Sequence, residues 1–462
     1  MFRSMKIIAV TILLAAAGRV LAAEGADFTQ KLYKEITPSL VAVQWTYEYE
    51  LGRRDLIGAA VVISEDGMVM APLALLSPQI PDEQMKDFKI IVPRDEQEPQ
   101  EIPAIFVGRD ERTGVAFLKA KEAQKWKPIK FEDAPIAIGD TIYSVGLLPK
   151  AAGYRSYLGQ ATVSCKLRGE MPTILVTGAG LPAVGSPIFN AEGKAIGVIN
   201  AQSQQQLILN DPTNPLAAIN NPPRFFVPTS SFQLSLDDPI RPGEPQKLPW
   251  MGVMSLTGLK KDVAEFYGLE NQPAVQIGDV VPGSPAEKAG LKRGQIITQL
   301  NGKPLERGDQ PEEMPAILAR NLRQMKVGAE IKLTVLSDTD KEPKQVTVTL
   351  EEQLKRANTA RRFYDKDLGF GAREIVFTDT YINHRPADTK GVVITVIQPQ
   401  GSSDHKLQAN DLVVQLNGEP VTDLDQFKKS YEAFRDKSPK EAIVMVVLRA
   451  SKEETIRIEP PQ

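Results

Sequence analysis

The 462-residue chain holds two histidines, His384 and His405, and one cysteine, Cys165. These counts bound the chemistry first. Activating a serine hydroxyl as a nucleophile needs an adjacent base, most often an imidazole. Both histidines lie in the last fifth of the chain, in polar loop text (NHRPAD and SDHKLQ), where a solvated surface histidine is expected. Cys165 sits in an apparent strand (ATVSCKL) without a candidate base, so it reads as a small packing residue. A single cysteine excludes an intramolecular disulfide framework and a cysteine-built zinc site. No metal or cofactor is expected. Lys+Arg 55 against Asp+Glu 58 give a formal net charge of −3, so no strong basic field invites nucleic acid. With 42% hydrophobic and 24% charged residues, the chain can build packed cores and is not wholly disordered.

The elements that would position any chemistry begin after an export segment. Residues 1–22 read MFRSMKIIAVTILLAAAGRVLA, with Arg3 and Lys6 ahead of an uncharged, largely apolar run from Ile7 to Gly18. Small or compact residues then stand at Val20-Leu21-Ala22, the positions a signal peptidase inspects. The run makes about 18 Å of helix, short of a ~30 Å bilayer core. Cleavage after Ala22 is expected, moving the formal charge from −3 to −6 by removing three cations. The mature protein is expected to be exported, to the periplasm or the extracellular space, without a membrane span.

From Asp27 to Gln233 the text is strand-rich and bounded by turn residues. Ser39–Trp45, Ala59–Ser64, Val115–Lys119, Thr141–Val145 and Ala195–Asn200 read as strands without regular intervening helices, which argues for an all-β barrel or sandwich. Gln202 to Arg224 reads as a long surface loop, and residues 234–248, with three prolines, as a linker. An internal repeat follows. Gly278–Pro304 and Thr395–Val421 share an apolar strand, a turn, a short helix and a strand ending in Leu-Asn-Gly. Each continues into an amphipathic helix, Glu312–Met325 or Leu424–Phe434, and a closing strand, Glu330–Leu336 or Glu441–Leu448. The copies read as two homologous α+β domains at 249–354 and 361–460.

The repeat resembles tandem PDZ domains. In the first copy Ser284-Pro285-Ala286, Ala289-Gly290-Leu291, Gly294 and Asn301-Gly302 carry the likeness; in the second, Asn410 replaces Gly294. Asn tolerates the left-handed backbone better than other non-glycine residues, so the turn is expected to survive. Residues 27–233 in turn resemble the HtrA/DegP-type serine protease domain through three ordered segments: Gly58–Leu76, Gly108–Ala120 and Gly180–Asn190. The fold implied is mostly β, a trypsin-like double β-barrel followed by two small α+β PDZ domains. The resemblance places Ala74 at the catalytic histidine, Gly114 at the aspartate and Val184 at the nucleophile. None of the three carries the hydroxyl, imidazole or carboxylate that a triad requires. One oxyanion donor would come from the position of Pro182, and proline has no N–H. Ser186 as a displaced nucleophile with Lys119 as its base is a weaker reading, because it replaces a family glycine in a tight turn.

With catalysis absent, the resemblance leaves peptide capture. PDZ domains add an extended peptide to a sheet edge and hold its carboxylate in a loop of backbone N–H groups. That loop maps to Trp250, Met251, Gly252 and Val253 in the first copy, with Ile317 and Leu318 on the facing helix as pocket residues unless they are simply core. In the second it maps to Asp367, Leu368, Gly369 and Phe370, with Phe427 and Tyr431 on the helix and Asp367 expected to repel a carboxylate. The expectation is a pseudoprotease that binds C-terminal or extended peptides or unfolded proteins, as a scaffold, chaperone-like holder or regulator of an active HtrA-type protease. A serine-type endopeptidase with a non-standard active site is the alternative. The family's barrels trimerise through aromatics near the mature N-terminus, where Phe28 and Tyr33 stand.

Overall fold

The computed structural model describes residues 27–49, 52–94, 97–178, 181–200, 224–243, 246–337, 342–386, 388–450 and 452–461. The export segment and nearly all of the expected Gln202–Arg224 loop lie outside the described residues. The first six strands are β1 (Leu40–Tyr49), β2 (Gly52–Val62), β3 (Met68–Pro72), β4 (Met85–Val92), β5 (Gln100–Asp110) and β6 (Val115–Ala120). They close into a barrel in the order β1-β2-β3-β6-β5-β4. A second barrel closes as β10-β11-β12-β9-β8-β7, from β7 (Thr141–Leu147), β8 (Ser156–Leu167), β9 (Thr173–Gly178), β10 (Pro187–Phe189), β11 (Ala195–Val198) and β12 (Arg224–Pro228). Closure removes the sheet edges that strand-rich sequences otherwise expose. Val61, Met70 and Phe117 of the first barrel share one core with Val145, Phe189, Val198 and Val227 of the second. Each such side chain contributes about 1.5–3 kcal/mol by leaving water.

The N-terminal helix at 27–36 lies on this body. Phe28 meets Tyr143 edge-on, with ring centroids 5.1 Å apart, and the Tyr33 hydroxyl donates to the Ser156 carbonyl at 3.0 Å. Both aromatics are thus half-buried against the barrel of their own chain.

The segment read as a linker is strapped down rather than free. Asp110, fully buried, accepts hydrogen bonds from Ser235 Oγ at 2.7 Å and Gln246 Nε2 at 2.7 Å, and pairs with Arg112 at 2.7 Å. Gln246 returns a bond through its Oε1, which accepts from the Glu111 N–H at 2.9 Å, and Arg112 also donates to the Asp238 carbonyl at 3.3 Å. The linker is therefore clasped at three residues by Asp110 and its immediate neighbours.

The chain forms two compact units. One joins the barrels to the first repeat, and the other is built on residues 353–462 with residues 45–56 and 77–86. In the first repeat, strands Val253–Gly258, Val275–Val280, Ile296–Leu300, Glu330–Leu336 and Lys344–Thr349 pair in that order, with Lys303–Pro304 turning back on Ile296–Leu300. The second repeat pairs Phe370–Glu374, Val392–Ile397, Leu412–Leu416, Ile443–Arg449 and Lys452–Ile458 in the same order, with Glu419–Pro420 in the turning-back position. Asn410 takes the left-handed turn at φ 72°, beside φ 88° at Gly294. Each donates its N–H to the matching strand, Asn410 to Ile394 at 2.9 Å and Gly294 to Ile277 at 2.8 Å. The first-repeat helix begins as a single 3-10 turn, Pro311–Glu313, before its α segment Met314–Arg323. The second-repeat helix, Leu424–Lys437, is capped by the Asp423 side chain, which accepts from the N–H groups of Asp425 and Gln426.

Candidate functional site

The turn after β3 places Ala74 in a short 3-10 segment, Leu73–Leu76, and the Leu73 N–H donates to the Gly114 carbonyl at 3.0 Å. The segment matched to histidine and the residue matched to aspartate are therefore tied backbone to backbone. Gly114 has φ +77°, and a Cβ built there would lie 2.8 Å from Met171 Cε and 3.7 Å from Asn200 Nδ2. The Met171 methyl thus lies over Gly114, at the far end of a flexible side chain, and Asn200 Nδ2 approaches its sulfur at 3.7 Å. A small cleft at this point is walled by Met70, Pro72, Val115, Val198 and Phe232, with Thr113 and Asn200 as its polar side chains. Among the described residues no titratable side chain lines it.

The third segment keeps its turn. Ser186 N–H donates to the Ala183 carbonyl at 3.1 Å, and Gly185 N–H to the Ile199 carbonyl at 2.8 Å. Gly185 has φ +98°, and a Cβ there would lie 1.9 Å from the Ala59 carbonyl, so only glycine fits. Val184 at the turn is 37% exposed, presenting an isopropyl group where the resemblance expects a nucleophile. Pro182 is buried against Gly146, whose built Cβ would sit 2.2 Å from the proline Cβ. Ser186 is 1% exposed, and its hydroxyl is inward with no hydrogen-bond partner among the described residues. Lys119, the base imagined for it, is paired with Asp66. His384 and His405 are both exposed, and Cys165 is a half-buried free thiol on β8. Among the described residues no group of three His, Cys, Asp or Glu is arranged to hold a metal.

The loop joining β8 to β9 carries Met171 and also touches the first repeat. Arg168 N–H donates to Asp309 Oδ2 at 2.8 Å, and Arg320 on the first-repeat helix donates to the Glu170 carbonyl at 2.9 Å. Arg323 of the same helix pairs with the Glu170 carboxylate.

The first-repeat loop Trp250–Val253 is shaped by one glycine and one serine. Gly252 has φ +95°, and a Cβ there would lie 2.2 Å from Ser284 Cβ. Its carbonyl accepts from Val281 N–H at 2.9 Å and Ser284 Oγ at 3.2 Å, while Ser284 Oγ also caps the helix Pro285–Lys288. That is the structural reason for Ser-Pro-Ala: proline suits the first helical position and serine serves both the cap and the loop. Strand Val253–Gly258 follows at the edge of its sheet, with Met254 39% exposed. Ile317 and Leu318 are 1% and 2% exposed, within the core beside Met251, so the plain packing reading describes them best. Gly252→Ala is expected to cost about 1–3 kcal/mol through strain and steric conflict, read as a lower thermal midpoint than wild type.

The second repeat has the same loop. The Gly369 carbonyl accepts from Gln398 N–H at 2.8 Å and Ser403 Oγ at 2.7 Å, so Ser403 does there what Ser284 does in the first. Leu368 is fully buried, and Phe370, Phe427 and Tyr431 belong to the core. The outer edge of Phe370–Glu374 is not open, because strand Arg362–Asp365 pairs along it. Sequence reasoning missed that strand, as it missed Met171 over Gly114.

Two closed six-stranded barrels sharing a core, followed by a PDZ domain, define a trypsin-like architecture of the HtrA type. Residues 58–198 match the family model described as trypsin-like peptidase domain, and residues 276–321 the one described as PDZ domain. The chain is 26% identical over 339 residues to a probable periplasmic serine endoprotease DegP-like of Rhizobium meliloti (strain 1021), spanning 71% of this chain and 62% of that relative. It is 26% identical over 391 residues to a protein of the same description from Marinomonas sp. (strain MWYL1), spanning 82% of this chain and 74% of the other. Among solved structures, the HtrA-type protease AlgW with tripeptide shares the fold at a TM-score of 0.52 and 17% identity, over 71% of this chain and 98% of that one. These findings support an HtrA/DegP-type, trypsin-like peptidase relationship with a PDZ domain. No helix among the described residues is long and apolar enough to cross a membrane.

Proposed function

We propose that this chain is an exported, proteolytically inactive HtrA-like protein that captures peptides or unfolded chains through its first PDZ domain. The observation that carries the reading is the triad region itself: Ala74, Gly114 and Val184 stand at the three positions the resemblance matches, and the cleft at Gly114 is lined mainly by apolar residues, with the Met171 methyl over the glycine. Acyl transfer by a hydroxyl requires a base and oriented donors, and the residues matched to those roles supply neither. The sheet edge at Val253–Gly258, following the glycine loop, is of the kind that accepts a peptide strand. AlgW, which shares the fold, takes a tripeptide, in agreement with a peptide as the ligand here. Periplasmic placement follows the naming of the relatives, and a scaffold or chaperone-like role, or regulation of an active HtrA-type protease, fits a peptide binder without turnover. Trimerisation through Phe28 and Tyr33, which keep part of their surface exposed beside their own barrel, belongs to the same reading; light scattering is expected to give a trimer, and a monomer at micromolar concentration would remove it.

Purified full-length protein, freed of contaminating proteases, is expected to leave casein intact and to resist labelling by a fluorophosphonate probe. The same protein is expected to retain ligands from a library of C-terminal peptides. Stoichiometric labelling at Ser186 would favour the alternative, a serine-type endopeptidase with a non-standard site.

A further inference from the structure

We propose that the second repeat carries its own ligand: residues 361–365 occupy its peptide groove as a C-terminal peptide would, and thereby reveal what the groove accepts. The inference rests on reading both repeats as PDZ domains. Strand Arg362–Asp365 lies antiparallel on Phe370–Glu374, with Phe363 opposite Ala372 and Asp365 opposite Phe370. It therefore runs toward the Asp367–Phe370 loop, the direction in which a peptide presents its terminal carboxylate to such a loop.

At the loop the carboxylate is already supplied. Leu368 N–H donates to Asp365 Oδ1 at 2.7 Å, and Gly369 N–H donates to the Asp365 carbonyl at 3.0 Å. The donors that would receive a ligand's terminus are satisfied in cis. Two residues earlier, on the same face of the strand, Phe363 packs against the groove helix, its ring centroid 5.7 Å from Phe427 and 5.0 Å from Tyr431. At the far end Arg361 donates to both Asp425 oxygens at 2.9 Å, latching the strand to the helix N-terminus. The ligand class is thus an extended segment with an aromatic residue two positions before a carboxylate. A tethered segment competes at millimolar effective concentration, so free peptides of modest affinity are excluded while it stays in place.

The test uses the full chain and a fluorescein-labelled Arg-Arg-Phe-Tyr-Asp amide, with Arg-Arg-Ser-Tyr-Asp amide as the control. Phe363→Ser and Asp365→Ala each free part of the groove. Each variant is expected to bind the first probe about tenfold or more tighter than wild type, not to bind the control, and to keep that gain when Gly252→Ala is added in the first repeat. Equal binding by wild type and variants overturns the proposal, as does a folded variant that ignores the probe. Should both variants fail to fold, hydrogen exchange on wild type decides. Excess unlabelled probe is expected to speed exchange in 361–365 and leave 392–397 unchanged, and the absence of that acceleration overturns the proposal. Because the signal is a difference between wild type and variant, it stays readable even if the first PDZ domain binds no peptide.

Discussion

Val184→Ser alone is expected to leave casein uncleaved, and so is the triple variant that adds Ala74→His and Gly114→Asp. A serine hydroxyl without a base is a poor nucleophile, and a rebuilt triad still lacks the oxyanion donor that Pro182 cannot give. Removing one such donor typically costs ~10²–10³ in rate. Adding Pro182→Gly restores an N–H, yet the fourfold variant is also expected to stay near background. The aspartate would have to adopt φ +77°, a backbone conformation that side chains rarely take, and a displaced carboxylate cannot orient the imidazole. Adding Met171→Ala leaves that backbone strain in place, so any turnover is expected to be weak, since partly assembled sites deliver ~10³-fold over water. The effects should be strongly non-additive, as for groups that act as a unit. A chromogenic ester assay across these variants, with Val184 restored in each as the blank, reads this directly. Casein cleavage by Val184→Ser alone would reveal a hidden base and overturn the pseudoprotease reading.

Asp110→Ala is expected to be strongly destabilising, costing about 3–5 kcal/mol at neutral pH. The substitution strands Arg112 and leaves the Ser235 and Gln246 bonds without an acceptor. Burial pushes the Asp110 carboxyl up, but Arg112, Gln246 and Ser235 outweigh it and hold the group below its ordinary value of 3.8. A depressed folded-state pKa gives stability that is present above the unfolded value and lost as pH falls through the folded one. The gap between wild type and variant should therefore be full at pH 6–7 and shrink below about pH 4. Urea midpoints at pH 7 and pH 3 measure it, and a gap independent of pH would refute the assignment.

The barrel strands and both repeats were legible because alternation and turn residues are local signals. β6 begins at Val115 and β7 at Thr141, where the apolar strand text begins after turn residues, and Asn410 was readable because few residue types tolerate its backbone. That Ala74, Gly114 and Val184 carry no hydroxyl, imidazole or carboxylate is written in the letters, while their match to a triad rests on the resemblance. What escaped were encounters between distant residues. Nothing in the text around Met171 announces that its methyl lies over Gly114, and Gln246 reads as linker polarity rather than as a clasp on Asp110. Asp365 was harder still. Asp367 was expected to repel a carboxylate at the loop, whereas the nearby Asp365 supplies one, because a four-residue strand folds back before the turn. Ile317 and Leu318 show the limit of helical spacing, which does not by itself separate a pocket wall from the core.

The paired edge of the second repeat also fixes how many partners one chain can hold. Val253–Gly258 has no strand paired on its outer edge among the described residues, while Phe370–Glu374 is covered by Arg362–Asp365, so the proposed reading makes each chain monovalent. On that reading it would sequester a ligand one to one rather than cross-link two of them into a network. Release of the inner strand would make the chain bivalent toward any substrate long enough to reach both grooves. Linked sites of that kind gain ~10²–10⁴ in avidity without a new contact. On the proposed reading, release of that strand would change the stoichiometry, from capping single chain ends to holding a chain at two points.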